Sequence, residues 1–363
     1  MNHAEQLNAL PVETWRHLGV NAAPTAAALP EVPAEGWGET NTNCELPQGV
    51  VCTALLPQEF AGYESGLGAK ADLWIQQSAN FTRFFQAEGS IDAPVYLRER
   101  LDQSRPNAVT HTAIHAKAGS KVTLVQVSES EEDVQGLSAA LTRVYAEAGS
   151  EVTLVQLQLL NAGSRRYNAV AAKCDTDAVV RVIRADLGAG VTVSGAKAQL
   201  TQRRSEFDLQ AIYYGDGTGI LDFNDVAVHT EKDTHSELHT AGVLADEAKK
   251  VLRGTIDFQR GAVNAVGHES EDVLLFSPKV RNRTAPLILC GEEQVEGQHA
   301  ATSGRLDESV LYYLRSRGLS EAEAKRLMVE ARFAPVLDAI PDEALRQAAR
   351  QATERRLQHA EIH

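Results

Sequence analysis

Residues 118–126 read AGSKVTLVQ, and residues 148–156 read AGSEVTLVQ. Eight of the nine positions are identical across an offset of 148 − 118 = 30 residues, and a weaker echo, GAGVTVSG, occupies 188–195. Self-similarity at this period points to stacked structural units. Each unit joins a turn to a β-branched run. Gly119 and Gly149 suit a turn that needs positive φ, and the Val-Thr-Leu-Val that follows favours a strand. The run VTLVQLQLL (152–160) is almost continuously apolar, as a strand covered on both faces would be.

Outward from this repeat, further short strands are predicted at 169–172, 179–187, 207–214, 220–228, 255–258 and 273–276, separated by Gly, Asp and Asn. Parallel strands need crossovers, and the segments between these runs are mostly too short for helices. A β-solenoid resolves this by coiling the chain so that each turn stacks on the last. A β-sandwich shows similar short strands, but the near-identical repeat favours the solenoid. The expected fold is mainly β, a parallel β-helix over residues 93–300, flanked by an N-terminal helical region (1–92) and a C-terminal helical domain (301–363).

Before the repeat, Leu7, Leu10, Trp15 and Leu18 are spaced as a short apolar face, and Phe81, Phe84 and Phe85 as one side of a helix or tight turn. After it the period turns helical. Leu306, Val310, Tyr313 and Leu314 share a face, Gly318 is placed as a C-terminal stop, and Ser320 with Glu323 forms a capping box. A helix through Ala324, Leu327 and Ala331 is punctuated by Pro335 and Pro341. A last charged helix is expected over about 341–359. This C-terminal unit reads as removable without unfolding the strands.

Composition narrows the function. Lys and Arg number 35 against 49 Asp and Glu, a formal charge of −14. Phosphate binding needs the opposite balance, so no nucleic-acid partner is expected. The basic pairs Arg165/Arg166 and Arg203/Arg204 read as solvated strand edges. Four cysteines, Cys44, Cys52, Cys174 and Cys290, form no C-x-x-C pair. That is too few for a disulfide framework and fits a reducing compartment. No stretch is long and apolar enough to span a bilayer. A cytoplasmic protein with no membrane partner is expected.

Candidate chemistry is sparse. His229, His235 and His239, with Glu231, Asp233 and Glu237 between them, are the densest histidine cluster. A zinc site needs three or four ligands converging on a point, and on strands these histidines would spread along a face. A polar loop and strand edge is the favoured reading. His111 and His115 read as surface histidines, and Cys174 and Cys290 as small buried hydrophobes. Gly215-Asp-Gly-Thr-Gly219 reads as a turn rather than a phosphate cradle. The chain has no P-loop, no G-x-S-x-G and no H-E-x-x-H. No catalytic residue is assigned.

The stretch HAATSGRLDESVLYYLRSRGLSEAEAKRLM (299–328) resembles a long ungapped signature of the SufB/SufD family of iron–sulfur cluster assembly scaffold proteins, H-x-A-[ST]-x-G-x-[LI]-D-x-x-x-[LF]-[FY]-Y-L-x-S-R-G. LTRVYAEAGSEVTLVQLQLL (141–160), His229 with Ser236 and Gly242-Val-Leu244, Leu252-Arg-Gly-Thr-Ile256 with Gly261-Ala262, and LNALPVETW (7–15) resemble other family segments. The resemblance covers most of residues 7–335. The cysteine and glutamate residues typical of the SufB cluster site are missing, which places it on the SufD side of the family.

The resemblance implies a right-handed parallel β-helix and a non-catalytic scaffold. It further implies pairing with a SufB-like subunit through the end of the β-helix, and binding of the SufC ATPase through the C-terminal helices. No cofactor is expected on the chain alone. An iron–sulfur cluster would sit transiently at the interface with SufB, with His299 as the candidate metal ligand. Tyr312, Tyr313, Arg315 and Arg317 form an aromatic and basic patch of the kind that anchors interfaces, and are the candidate partner-binding residues. The sequence leaves open whether the partner is always SufB or a homodimer forms in isolation. Two departures stand out. Gly297 occupies the position where many relatives carry cysteine, and Thr284-Ala-Pro-Leu-Ile-Leu-Cys290 replaces a strand with two glutamates. Rival readings are a β-solenoid carbohydrate-active enzyme or acyltransferase, for which neither a carboxylate-lined groove nor hexapeptide repeats appear, and a histidine-rich metal-binding homodimer.

Overall fold

The structure, a computed structural model, describes residues 6–14, 16–31, 35–37, 39–42, 46–54, 57, 60, 62–305 and 308–362. In chain order the elements are β1 Glu39–Thr42, β2 Val50–Thr53, α1 Ala69–Ser78, β3 Phe81–Ala87, β4 Val95–Leu101, β5 Asn107–Ala116, β6 Lys121–Ser130, β7 Leu137–Ala146 and β8 Glu151–Leu159. Then follow β9 Arg165–Cys174, β10 Val179–Asp186, β11 Val191–Leu200, β12 Glu206–Gly215, β13 Ile220–His229, β14 His235–Leu244, β15 Lys249–Phe258, β16 Ala265–Leu275, β17 Arg281–Cys290 and β18 Val295–Arg305. Three helices close the chain: α2 Glu308–Ser316, α3 Glu321–Asp338 and α4 Glu343–Ile362.

From β3 onward successive strands alternate between two nine-stranded sheets, and each pairs in parallel with the strand two along. This is a β-solenoid. The two copies of the nine-residue repeat fall on adjacent turns of one sheet, with Val122 beside Val152, Leu124 beside Leu154 and Gln126 beside Gln156. The turn that enters this sheet uses a left-handed residue at each level from β6 to β16. Gly119 and Gly149 supply it with φ of 68°, and Asp177, Arg204, Asp233 and Asn264 supply it further along with φ between 57° and 61°. Asn and Asp tolerate this conformation better than most side chains do. That is why the glycine signal fades while the architecture continues.

The lumen between the sheets is packed by Ile114, Val144, Val170, Leu124, Leu154, Val182, Leu209, Leu238 and their neighbours. Both sheets are also covered outside. The outer face of one is covered by α1 and the N-terminal segment, through Leu7, Ala27, Leu67, Ala71 and Ile75. An ion pair with no exposed side chain, Arg253–Asp222 at 2.7 Å, ties that segment down, since Arg253 also donates to the Val20 carbonyl and Asn8 to Asp222. The outer face of the other is covered by α3 and α4, whose Val329, Phe333, Leu337, Leu345 and Ala349 pack on Val125, Val155, Ile183, Ile212 and Val243. Arg332–Asp272 and Arg356–Asp216, each 2.8 Å, pin these helices to the strands.

Several expectations need correction. The parallel ladder begins at Phe81, so Phe81, Phe84 and Phe85 lie on a strand rather than a helix, and β18 carries the ladder to Arg305. Over residues 6–90 the described chain holds one α-helix, short 3-10 turns and the strands β1–β3; Leu7 and Leu10 are buried without forming a helical face, and Leu18 is exposed. Trp15, Cys44 and Leu306 lie outside the described residues. Pro335 lies within α3 instead of ending it. The C-terminal helices are not a removable unit, because cutting at 301 would sever β18 and uncover the apolar face beneath α3 and α4. The Gly318 stop (φ 97°) and the Ser320–Glu323 capping box are as expected, as is the turn at Gly215–Gly219, which joins β12 to β13.

Candidate functional site

In a parallel solenoid, side chains at one register stack into columns that run the length of the fold. One column on the lumen face reads Val95, Leu124, Leu154, Val182, Leu209, Leu238, Glu269 and His299. It is apolar for six levels and changes to a carboxylate and then an imidazole at the last two. Gly297, two residues before His299, faces the same way: a Cβ there would lie 3.0 Å from the Phe258 ring and 3.1 Å from Ile288. His299 therefore stands on the lumen side of the outermost strand. It is exposed because no further turn closes over it.

Behind this mouth the lumen is strongly polar along one side. Arg184 makes bidentate contacts of 2.9 and 2.8 Å with Asp225, and Asp186 flanks it at 3.2 Å. Nearer the start, Arg166 pairs with Glu99 at 3.1 Å, and Gln126, Gln156 and Asn168 hydrogen-bond in sequence. Nearer the mouth, Glu271 is held by Lys250, by the Tyr213 hydroxyl at 3.1 Å and by the Thr284 hydroxyl at 2.5 Å. Arg166 is thus an interior residue, not a solvated edge. Arg203 and Arg204 are exposed, but they pair with Asp233 and Asp177 across neighbouring turns.

The histidines divide by face. His229 is fully buried; its ring nitrogens lie 2.8 Å from the Thr234 and Ser236 hydroxyls, and burial holds its pKa down to about 3. His235 and His239 face outward on β14. His235 contacts Glu237, which His268 shares at 2.8 Å, and His239 contacts Ser270. The three histidines do not converge, and among the described residues no three His, Cys, Asp or Glu side chains could hold a metal ion. His111 and His115, read as surface residues, are buried. His111 lies 2.8 Å from Arg143, and desolvation together with that cation lowers its pKa to about 4. His115 stacks on Tyr145 and contacts Glu147. These buried positions arise because the N-terminal segment covers the sheet, which strand periodicity alone does not reveal.

Cys174 is buried as expected, and desolvation raises its pKa. Cys290 is exposed, contrary to expectation, because it ends β17 where the solenoid stops. On α2, Tyr312 is 75% exposed and Tyr313 55%. The Arg317 guanidinium lies over the Tyr313 ring at 5.3 Å, and Arg315 lies 3.9 Å from Glu321. Both tyrosines thus present a large part of their surface to solvent. The sequence reading missed Glu269 and Lys250. The signal of Glu269 lies in the break of an apolar column, which only the register exposes.

Among the described residues no helix is long and apolar enough to cross a membrane. A family model described as the SufBD core domain of SUF system FeS cluster assembly matches residues 100–332. The iron–sulfur cluster assembly protein SufD of Bacillus subtilis is 30% identical over 168 residues, 46% of this chain and 38% of that protein. SufD of Escherichia coli is 25% identical over 161 residues, 44% of this chain and 38% of that protein. A SufBD family protein of Pyrococcus horikoshii is 33% identical over 145 residues, 36% of this chain and 32% of that protein. The matched stretch therefore spans less than half the length of each of these relatives.

Proposed function

The chain belongs to the SufBD core family of the SUF system for iron–sulfur cluster assembly, and from that premise we propose that it is a non-catalytic, SufD-like scaffold subunit whose open solenoid end pairs with a SufB-like partner. The observation that carries this reading is the contrast between β17 and β18 and the strands behind them. Both are long, both lie at a sheet edge, and the side chains of β18 are almost all solvent-facing. A long flat edge of unpaired backbone groups invites another strand. His299 stands there on the lumen side, where an imidazole contributes to an iron site completed by the partner. The nascent cluster is then cargo held at the interface rather than a resident cofactor. The same edge serves a second copy of the chain when the partner is missing.

Tyr312, Tyr313, Arg315 and Arg317 are proposed as the anchor for the SufC ATPase. Two exposed tyrosines beside two arginines have the composition of an interface hot spot. The division into cover, solenoid and ATPase-binding helices, expected at 1–92, 93–300 and 301–363, is proposed with β3 (Phe81–Ala87) and the end of β18 (to Arg305) assigned to the solenoid. A cytoplasmic setting is proposed from the cysteine usage. The test is co-purification with SufB-like and SufC-like subunits. His299→Ala should leave both partners bound and lower the rate of cluster formation about tenfold, whereas Tyr312→Ala with Tyr313→Ala should release the ATPase alone. Normal cluster formation by the His299→Ala complex would make this chain a purely architectural partner.

A further inference from the structure

Two carboxylates enter the lumen from β16, two residues apart, and they are treated differently. Glu271 has a partner on every side. Glu269 is only 6% exposed, and its buried Oε2 makes no hydrogen bond. A buried, unpaired carboxylate oxygen is costly, and the fold has made room for it. Gly254 faces Glu269 across the lumen, and a Cβ at Gly254 would lie 1.8 Å from the Glu269 Oε1. The missing side chain at 254 is the cradle in which the carboxyl rests. Glu269 is also the residue in direct register with His299 on the next strand. It is the first polar group after an unbroken series of Val and Leu in that column.

We propose that Glu269 is a second ligand for the divalent iron cargo, forming with His299 the carboxylate–imidazole half of a metal site at the mouth of the solenoid. This rests on the reading of His299 as a ligand. Ferrous iron accepts a mixed carboxylate and imidazole set, and in the isolated chain water would complete the coordination. The buried Glu269 Oε2 has no hydrogen-bond partner in the protein, and a cation at the mouth would supply a partner. The site is open on the side where a partner would dock, so the remaining ligands come from outside the chain.

The full chain is titrated anaerobically with Co2+ as a spectroscopic probe, and then with Fe2+. Wild type should bind one equivalent, and the visible Co2+ bands should report a nitrogen and oxygen donor set. Glu269→Gln keeps the size of the side chain and removes its charge, and should weaken binding at least tenfold without lowering Tm. Gly254→Ala should do the same without altering a ligand, because the added methyl displaces the carboxyl from its cradle. His299→Ala should match both. If Glu269→Gln and Gly254→Ala bind Co2+ like wild type while His299→Ala does not, the pair is overturned and His299 stands alone. If none of the three changes binding, both readings fall.

Discussion

The two ends of the solenoid are finished differently. At the first, β1 runs antiparallel to β4 and β2 antiparallel to β3, each only four residues long. Short reversed strands blunt an edge, so this end is capped. At the second, β17 and β18 are ten and eleven residues long and run parallel to the stack. Among the described residues nothing pairs with their outer edges. Polar chemistry follows the same division. In the middle of the lumen Arg184 is paired with both Asp225 and Asp186, whereas at the open end the buried Glu269 Oε2 has no hydrogen-bond partner. Interior polar groups stabilise the fold only when fully satisfied; those left unsatisfied at an edge are available for a ligand.

The largest effect that would test this contrast lies in the closed middle. Asp225→Ala leaves the Arg184 guanidinium buried against Asp186 alone and should cost about 3–5 kcal/mol, read as a lower midpoint in urea. A loss under 1 kcal/mol would mean that water enters the lumen and that the middle is not closed. His229 gives a smaller effect with a pH signature. Its folded pKa is about 3, below the ordinary value near 6.5. The unfolded chain therefore takes up a proton that the folded one refuses, and stability falls as pH drops from about 6.5 towards 3, by about 1.4 kcal/mol per pH unit. His229→Gln should lose about 1–2 kcal/mol at pH 7 through its hydrogen bonds, and should show a flatter acid limb.

At the open end the expected stability effects shrink while the binding effects grow. Gly297→Cys would place a side chain against Phe258 and Ile288 at 3.0 and 3.1 Å. It should cost about 1 kcal/mol of overpacking and strengthen Co2+ binding by adding a thiolate, seen as a sulfur-to-cobalt charge-transfer band. His299→Ala should change stability by no more than about 0.5 kcal/mol, as for an exposed position. A large destabilisation by that variant would make His299 part of the fold and erase the distinction between the two ends.

Much of the fold was legible in the chain. A 30-residue repeat of turn plus β-branched run specifies a solenoid, because parallel strands with short crossovers have few other solutions. The capping box and the Gly318 stop were equally local. Gly119 and Gly149 were read correctly because only a few residue types tolerate their conformation. His299 and the tyrosine patch came from a contiguous motif, and a motif does not need folding to be seen.

Burial and pairing were decided elsewhere. Whether His111, His115 and Arg166 face solvent depends on which segment covers a sheet and which side of the strand lines the lumen. Strand periodicity assigns faces without saying what lies over them. Cys290 is exposed because the stack ends there, a fact about the assembly of turns rather than about its own strand. Glu269 and Gly254 are 15 residues apart in sequence and meet across the lumen; Glu269 and His299, 30 apart, become neighbours through register. The sequence alone determines how each turn is built, since turn and strand propensities act over a few residues. Only the tertiary structure decides which side chains share a column, because register is a relation between turns and no single turn contains it.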